Sequence, residues 1–176
     1  GFEISKEKRK YSKKVTKVPV LDININEKIP TVKPFDIVVL FHTLEHIIDP
    51  VILLKNIKKL LKPKGKVLVE VPNCDDFHLG LNKFYKEFYW QRAHIHYFNP
   101  KSLKTMINLG GFKSIKITGV QRYSMENFFN WILKNKPQIE NPTFSLSSEL
   151  NRLDESWKKY LERNLICDTL ISIANI

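Results

Sequence analysis

Two apolar runs separated by one helix constrain this chain most. They are Phe35-Asp36-Ile37-Val38-Val39-Leu40-Phe41 and Lys66-Val67-Leu68-Val69-Glu70-Val71. Near-continuous β-branched and apolar residues are the pattern of strands covered on both faces in a parallel sheet. Between the runs, Asp49-Pro50 supplies an N-cap and a proline suited to the first helical position. Leu53, Leu54, Ile57, Leu60 and Leu61 then recur at helical spacing, while Lys55, Lys58, Lys59 and Lys62 fall mostly on the opposite face. Pro63-Lys64-Gly65 turns the chain into the second run, with Lys64 tolerable in a type I turn. Strand, helix and strand at this spacing form a βαβ unit, whose strands are parallel and whose crossover is right-handed. The expected fold class is therefore α/β.

Upstream, Ser5 to Lys17 is basic and helix-compatible, with a serine able to cap it. Val18 to Ile23 has the composition of a short strand near an edge, because Pro19 cannot donate to a ladder. Downstream, periodicity fails from Asn73 to Phe98 and aromatic residues crowd together: Phe77, Phe84, Tyr85, Phe88, Tyr89, Trp90, Tyr97 and Phe98. Asn99-Pro100 opens a helix that carries Leu103, Met106 and Ile107 and ends at Gly110-Gly111. Ser114 to Thr118 alternates as a half-covered strand does, and Glu126 to Lys136 is helical in pattern. After a loop from Pro137 to Pro142, Leu146, Leu150, Leu153, Trp157 and Leu161 mark a long amphipathic helix, and Asp168 to Ile176 suits a last strand.

With 43% apolar and 27% charged residues, the 176-residue chain is expected to form one globular domain. Its apolar runs are far shorter than the ~18 residues of a membrane-spanning helix. Polar residues occupy the N-terminal positions where a signal peptide carries its apolar stretch. Two cysteines, Cys74 and Cys167, without metal-binding spacing fit a reducing, cytoplasmic setting. The net charge of +11 rests on lysine, which supplies 24 of the 29 basic residues. Arginine is the side chain suited to bidentate phosphate and base recognition, so the charge indicates a solvated surface, and neither nucleic acid nor membrane is expected as a partner. Since the first residue is not Met, the chain is expected to have been processed or cut from something longer.

His42-Thr43-Leu44-Glu45-His46 matches the H-x-x-E-H pattern of inverted zinc peptidases, where two histidines one helical turn apart hold the metal. That chemistry needs a helix, and these residues follow a strand directly, so no metal is expected. Their position past the carboxyl end of a parallel strand instead places them at the crevice where doubly wound sheets bind ligands. The end of the next strand, Val71-Pro72-Asn73, joins them there. The aromatic stretch beyond it has three readings: packing, a base-stacking platform, or a lid that mixes both.

Phe35 to Pro50, then Leu60-Leu61-Lys62-Pro63-Lys64-Gly65-Lys66, then Val69-Glu70-Val71-Pro72-Asn73, resemble the class I S-adenosylmethionine-dependent methyltransferases in order and spacing. His94-Ile95-His96-Tyr97-Phe98, Ser102-Leu103 and Gly111-Phe112 resemble a subgroup of sugar and small-molecule methyltransferases, often from surface-polysaccharide pathways. The resemblance implies a Rossmann-like, mostly parallel sheet with an antiparallel C-terminal strand and helices on both faces. It also implies S-adenosylmethionine as cofactor and a small-molecule substrate such as a sugar or nucleotide-sugar, with self-association into a homo-oligomer left open. Residues 1–72 would form the cofactor side of a single domain over 1–176, residues 73–98 an aromatic lid-like insert, and residues 99–176 the substrate side.

The resemblance places Glu3 at the ribose of the cofactor, where a carboxylate accepts two vicinal hydroxyls, and Asp22 beside the adenine. Phe41 and His42 would approach the methionine part. His94 and His46 are the expected catalytic residues, His94 lying near the transferred methyl, where a neutral imidazole takes a hydroxyl proton. The chain departs from the family in lacking a glycine-rich turn among its six glycines, so the first strand, its helix and that loop are expected to be missing and cofactor affinity to be weak. Ala93 stands where part of the subgroup has an acidic residue. A non-catalytic binding or scaffold module on the same sheet and an H-x-x-E-H zinc hydrolase are the rival readings.

Overall fold

The computed structural model describes residues 1–137 and 150–176. Its framework is a four-stranded sheet of β1 (Phe35–Phe41), β2 (Leu61–Pro72), β3 (Lys113–Val120) and β4 (Thr169–Asn175), in the order β1-β2-β4-β3. β1 and β2 pair in parallel, while β4 is antiparallel to both β2 and β3. Three strands thus share one direction and the C-terminal strand opposes them, as expected from sequence. The helices are α1 (Lys6–Thr16), α2 (Pro50–Leu60), α3 (Lys83–Tyr89), α4 (Pro100–Leu109), α5 (Met125–Lys134) and α6 (Asn151–Arg163).

The caps read from sequence form. The Asp49 side chain accepts from the Ile52 N–H at the start of α2, and Asn99 and Ser102 make a reciprocal capping box on α4. Leu53, Leu54 and Ile57 of α2 and Leu103 and Ile107 of α4 pack over Val67, Val69 and Val71 of β2, with Leu170 and Ala174 of β4 completing the layer. The alternation of β2 sends these valines to one face and Glu70 to the other. Lys58 secures the two helices to each other by donating to the Gly111 carbonyl at 2.6 Å.

Several expectations are corrected. β1 is not covered on both faces: it lies at the sheet edge, and Phe35, Ile37, Val39 and Phe41, alternate residues on one face, are all exposed. Helices therefore cover the face of α2 and α4, while the other face stays open over β1. Residues 18–23 form no strand beyond a single bridge between Phe2 and Leu21, because Pro19 interrupts donation and no neighbouring ladder extends it. Lys64 has φ +68°, so its turn is left-handed at that residue, the conformation glycine adopts without Cβ strain. Part of the loop expected over 137–142, together with Leu146, lies outside the described residues.

β3 meets α6 without side-chain clearance at Gly119. A Cβ there would stand 2.7 Å from the Glu162 carbonyl oxygen and 2.5 Å from Cys167 Sγ. Gly119→Ala is expected to cost about 1–3 kcal/mol in urea unfolding, as overpacking does. Gly80→Ala, whose added methyl meets open space, should change stability far less.

Candidate active site

The parallel register sets Phe41 beside Glu70, and the next residue, His42, extends the ladder by donating its N–H to the Glu70 carbonyl at 3.0 Å. His42 then adopts φ +43°, a left-handed backbone that costs a non-glycine residue about 1–3 kcal/mol and survives where its surroundings hold it. The bend delivers Leu44–His46 as a single 3-10 turn, with Leu44 fully buried as its anchor. The segment after α3 clamps this turn from the far side. The Glu45 carbonyl accepts from the N–H groups of Ile95 (2.8 Å) and His96 (3.1 Å), and His46 Nδ1 donates to the Ala93 carbonyl at 2.8 Å. That bond spends the Nδ1 proton and leaves Nε2 of a neutral His46 as a lone pair.

A charged cluster surrounds the turn. Glu70, buried on the face opposite the valines, takes His42 Nε2 at 2.8 Å and also pairs with Arg122. The backbone at Arg122 is held by Asp168, whose carboxylate accepts from the Arg122 N–H at 2.9 Å and the Thr169 hydroxyl at 2.7 Å. Burial raises the Asp168 pKa above the usual carboxylate range, with the neighbouring Asp76 adding to the effect. Tyr85, Phe88 and Tyr89 close the other wall of a crevice of about 300 Å³, whose lining also includes His94, Gln91 and Tyr123. Tyr85 is fastened to the buried Asp76 by its hydroxyl at 2.5 Å, and its ring meets Trp131 of α5 edge-on, so the aromatic stretch is packed core and crevice wall together. A larger depression of about 600 Å³ lies against α4 and the amino end of β3, where Lys104 and Lys113 are the charged groups. It lacks the mixed acid, base and aromatic lining of the smaller crevice, which is the better candidate.

The structure gathers three of the expected site residues, His42, His46 and His94, with the rings of His46 and His94 4.8 Å apart. Phe41 stands at the same strand end with 57% of its surface exposed. Glu3 and Asp22 sit together elsewhere. Arg9 binds both oxygens of Asp22 at 2.7 Å and donates to the Glu3 carbonyl at 2.8 Å, while the Glu3 carboxylate takes the Ser5 N–H. The ring of the adjoining Phe2 lies 6.3 Å from that of Phe35, at the start of β1, and seven strand residues at about 3.3 Å each separate that end from His42. Sequence reasoning did not single out Glu70, Arg122 or Asp168. Glu70 carried a signal, a lone charge inside a buried apolar run; Arg122 and Asp168 carried none.

Glu45, His46 and His94 also converge, each offering a ligand atom within 4.8 Å of the others. Both Glu45 carboxylate oxygens and His94 Nδ1 are buried without a hydrogen-bond partner among the described residues. For S-adenosylmethionine, the exposed Phe41 ring beside the charged crevice suits a sulfonium, which packs on aromatic faces.

Comparison with known proteins gives a family and a fold. A family model described as a methyltransferase domain matches residues 1–117. Among curated proteins, none matches the sequence. A SAM-dependent methyltransferase from Archaeoglobus fulgidus superposes with a TM-score of 0.63 at 21% identity, over 100% of this chain and 75% of that one. A SAM-dependent methyltransferase from Thermotoga maritima gives 0.66 at 15% identity, over 99% and 72%. Phosphoethanolamine N-methyltransferase 2 of Haemonchus contortus, in complex with phosphomonomethylethanolamine and S-adenosylhomocysteine, gives 0.54 at 23% identity, over 100% and 42%.

Burial of the His94 ring lowers its pKa, with His46 adding to the effect, Glu45 opposing it and His42 contributing least. The folded imidazole therefore binds its proton less readily than the unfolded one, and acid favours unfolding. The stability that His94 leaves intact above about pH 6.5, its ordinary pKa, should fall as pH drops toward the lowered value. Chemical denaturation at pH 7.5 and pH 5.5 is expected to show a smaller loss for His94→Asn than for the wild type.

Proposed function

The chain belongs to the methyltransferase domain family, and from that premise we propose that the crevice beyond β1 and β2 carries out methyl transfer from S-adenosylmethionine to a hydroxyl of a small molecule such as a sugar or nucleotide-sugar. When bound, the cofactor supplies a methyl group made electrophilic by its sulfonium. Phe41 and His42 would hold its methionine part, whereas Glu3 and Asp22 gather with Arg9 near the start of β1, out of reach of a cofactor bound there.

The remaining work falls to side chains already in place. Transfer from a sulfonium is an in-line displacement, and most of its acceleration comes from holding nucleophile and methyl in line. The crevice of about 300 Å³ suits an acceptor of one sugar ring, and Tyr85, Phe88 and Tyr89 exclude water around it. Glu70 and Arg122 offer an acceptor and donors for further hydroxyl or phosphate groups. His94, kept unprotonated by burial, and His46, whose Nε2 lone pair is exposed by the bond to Ala93, are the bases that take the acceptor hydroxyl's proton as the new bond forms. A small-molecule acceptor is also what the Haemonchus contortus enzyme binds. No described helix is long and apolar enough to cross a membrane.

The observation that carries this reading is the convergence of His46 and His94 on one crevice at the carboxyl end of a parallel strand pair. It is tested with radiolabelled S-adenosylmethionine against a panel of nucleotide-sugars and free sugars, alongside calorimetry with S-adenosylhomocysteine. Weak but measurable binding and transfer to one class of acceptor are expected. His94→Ala and His46→Ala should each lower kcat by about 10²- to 10⁴-fold with product-analogue binding retained. Absence of both binding at millimolar ligand and transfer would refute it.

A further inference from the structure

Glu45 is 1% exposed, and among the described residues neither of its carboxylate oxygens takes a hydrogen bond. An ionised carboxylate taken out of water without a partner is strongly unfavourable, so such a group marks the place of a missing cation. His42 does not fill that need. Its Nε2 serves Glu70 at 2.8 Å, and its Nδ1, 3.4 Å from Glu45 Oε1, makes no hydrogen bond to that oxygen.

Two imidazole nitrogens face the same point. His46 Nε2 is 4.0 Å from Glu45 Oε1, and the ring is oriented by the bond from Nδ1 to the Ala93 carbonyl. His94 Nδ1 is buried and has no partner. An imidazole whose other nitrogen is tied to a backbone carbonyl is the usual form of a metal-bound histidine. All three ligand atoms lie within 4.8 Å of one another, and ligands about 2.1 Å from one ion stand about 3–3.5 Å apart, so side-chain rotation of about an ångström closes the set.

The geometry points to a divalent metal site formed by Glu45, His46 and His94, taking a borderline transition ion such as Zn²⁺, Mn²⁺ or Fe²⁺. Two imidazoles and one carboxylate select that class over Mg²⁺ or Ca²⁺, which prefer oxygen ligands alone. The ligand set also differs from the one the H-x-x-E-H pattern suggests. His42 is committed to Glu70, Glu45 is a ligand instead of a base, and the second histidine comes from a segment 48 residues further along. Three protein ligands leave positions open toward the crevice. Resting on the methyl-transfer reading, the ion would bind the acceptor oxygen there and lower the pKa of its hydroxyl, with His46 and His94 then serving the metal.

The test uses Co²⁺ alone, added to chelator-treated protein and followed by visible absorption and calorimetry without cofactor or acceptor. One equivalent should bind with a ligand-field spectrum. Glu45→Gln and His94→Ala should each weaken it more than about 100-fold, while His96→Ala binds as the wild type does. Metal-free Glu45→Gln should melt no lower than the wild type, because the variant removes an uncompensated buried charge. Should that variant fail to fold, His94→Ala decides. No stoichiometric cobalt, unchanged affinity in His94→Ala, or equal loss in His96→Ala overturns the site. A carboxylate that instead meets an ammonium group of the acceptor gives the first of these results. S-adenosylhomocysteine titrated into the same samples reads the methyl-transfer proposal separately, so either can fail alone.

Discussion

The parallel pairing of β1 with β2 is the constraint on which the site depends. Parallel strands end on the same side of a sheet, so the residues leaving β1 and those near the end of β2 meet without any further device. Because Phe41 is in register with Glu70, the first residue past the strand, His42, is brought against Glu70, the buried charge that β2 turns away from the helical layer. A shift of the register by one residue would send Glu70 to the valine face and dissolve the contact. The apolar layer under α2 and α4 therefore does more than supply stability: burying Val67, Val69 and Val71 on one face fixes where Glu70 must point.

The second constraint is backbone hydrogen bonding over the turn. The Glu45 carbonyl receives two N–H groups from residues about fifty positions away, and His46 binds the Ala93 carbonyl. These bonds tie the segment after α3 to the end of β1, and the aromatic contacts of Tyr85, Tyr89 and Trp131 hold that segment in turn. Crevice shape and histidine tautomer are thus set by the same small group of contacts. The strained backbone of His42 is tolerable because both of its neighbours are restrained, by the ladder on one side and by the buried Leu44 on the other.

Much of the fold was legible in the residues. The βαβ unit, the caps at Asp49 and Asn99, the helix stop at Gly110 and a last strand near the C-terminus follow from local periodicity and cap chemistry, while the antiparallel direction of that strand came from the family resemblance. The exposure of β1 was not legible, since an apolar run carries no mark of whether a neighbour covers it. Nor was the positive φ of Lys64, where a turn's geometry overrode its residue type.

For the candidate site, the same division holds. The H-x-x-E-H stretch lines the crevice, but a pattern of residue types says nothing about which side chain a bend turns inward: Glu45 is buried and His42 pairs with Glu70. Sequence alone determined that a parallel strand pair would present His42 to His46 at the carboxyl end of the sheet. Only the tertiary structure decided that Glu45 is buried beside His94, that His42 belongs to Glu70, and that Arg122 and Asp168 border the same crevice. Periodicity is a property of neighbours along the chain, whereas these contacts join residues up to about 100 positions apart through a core whose packing no local pattern encodes.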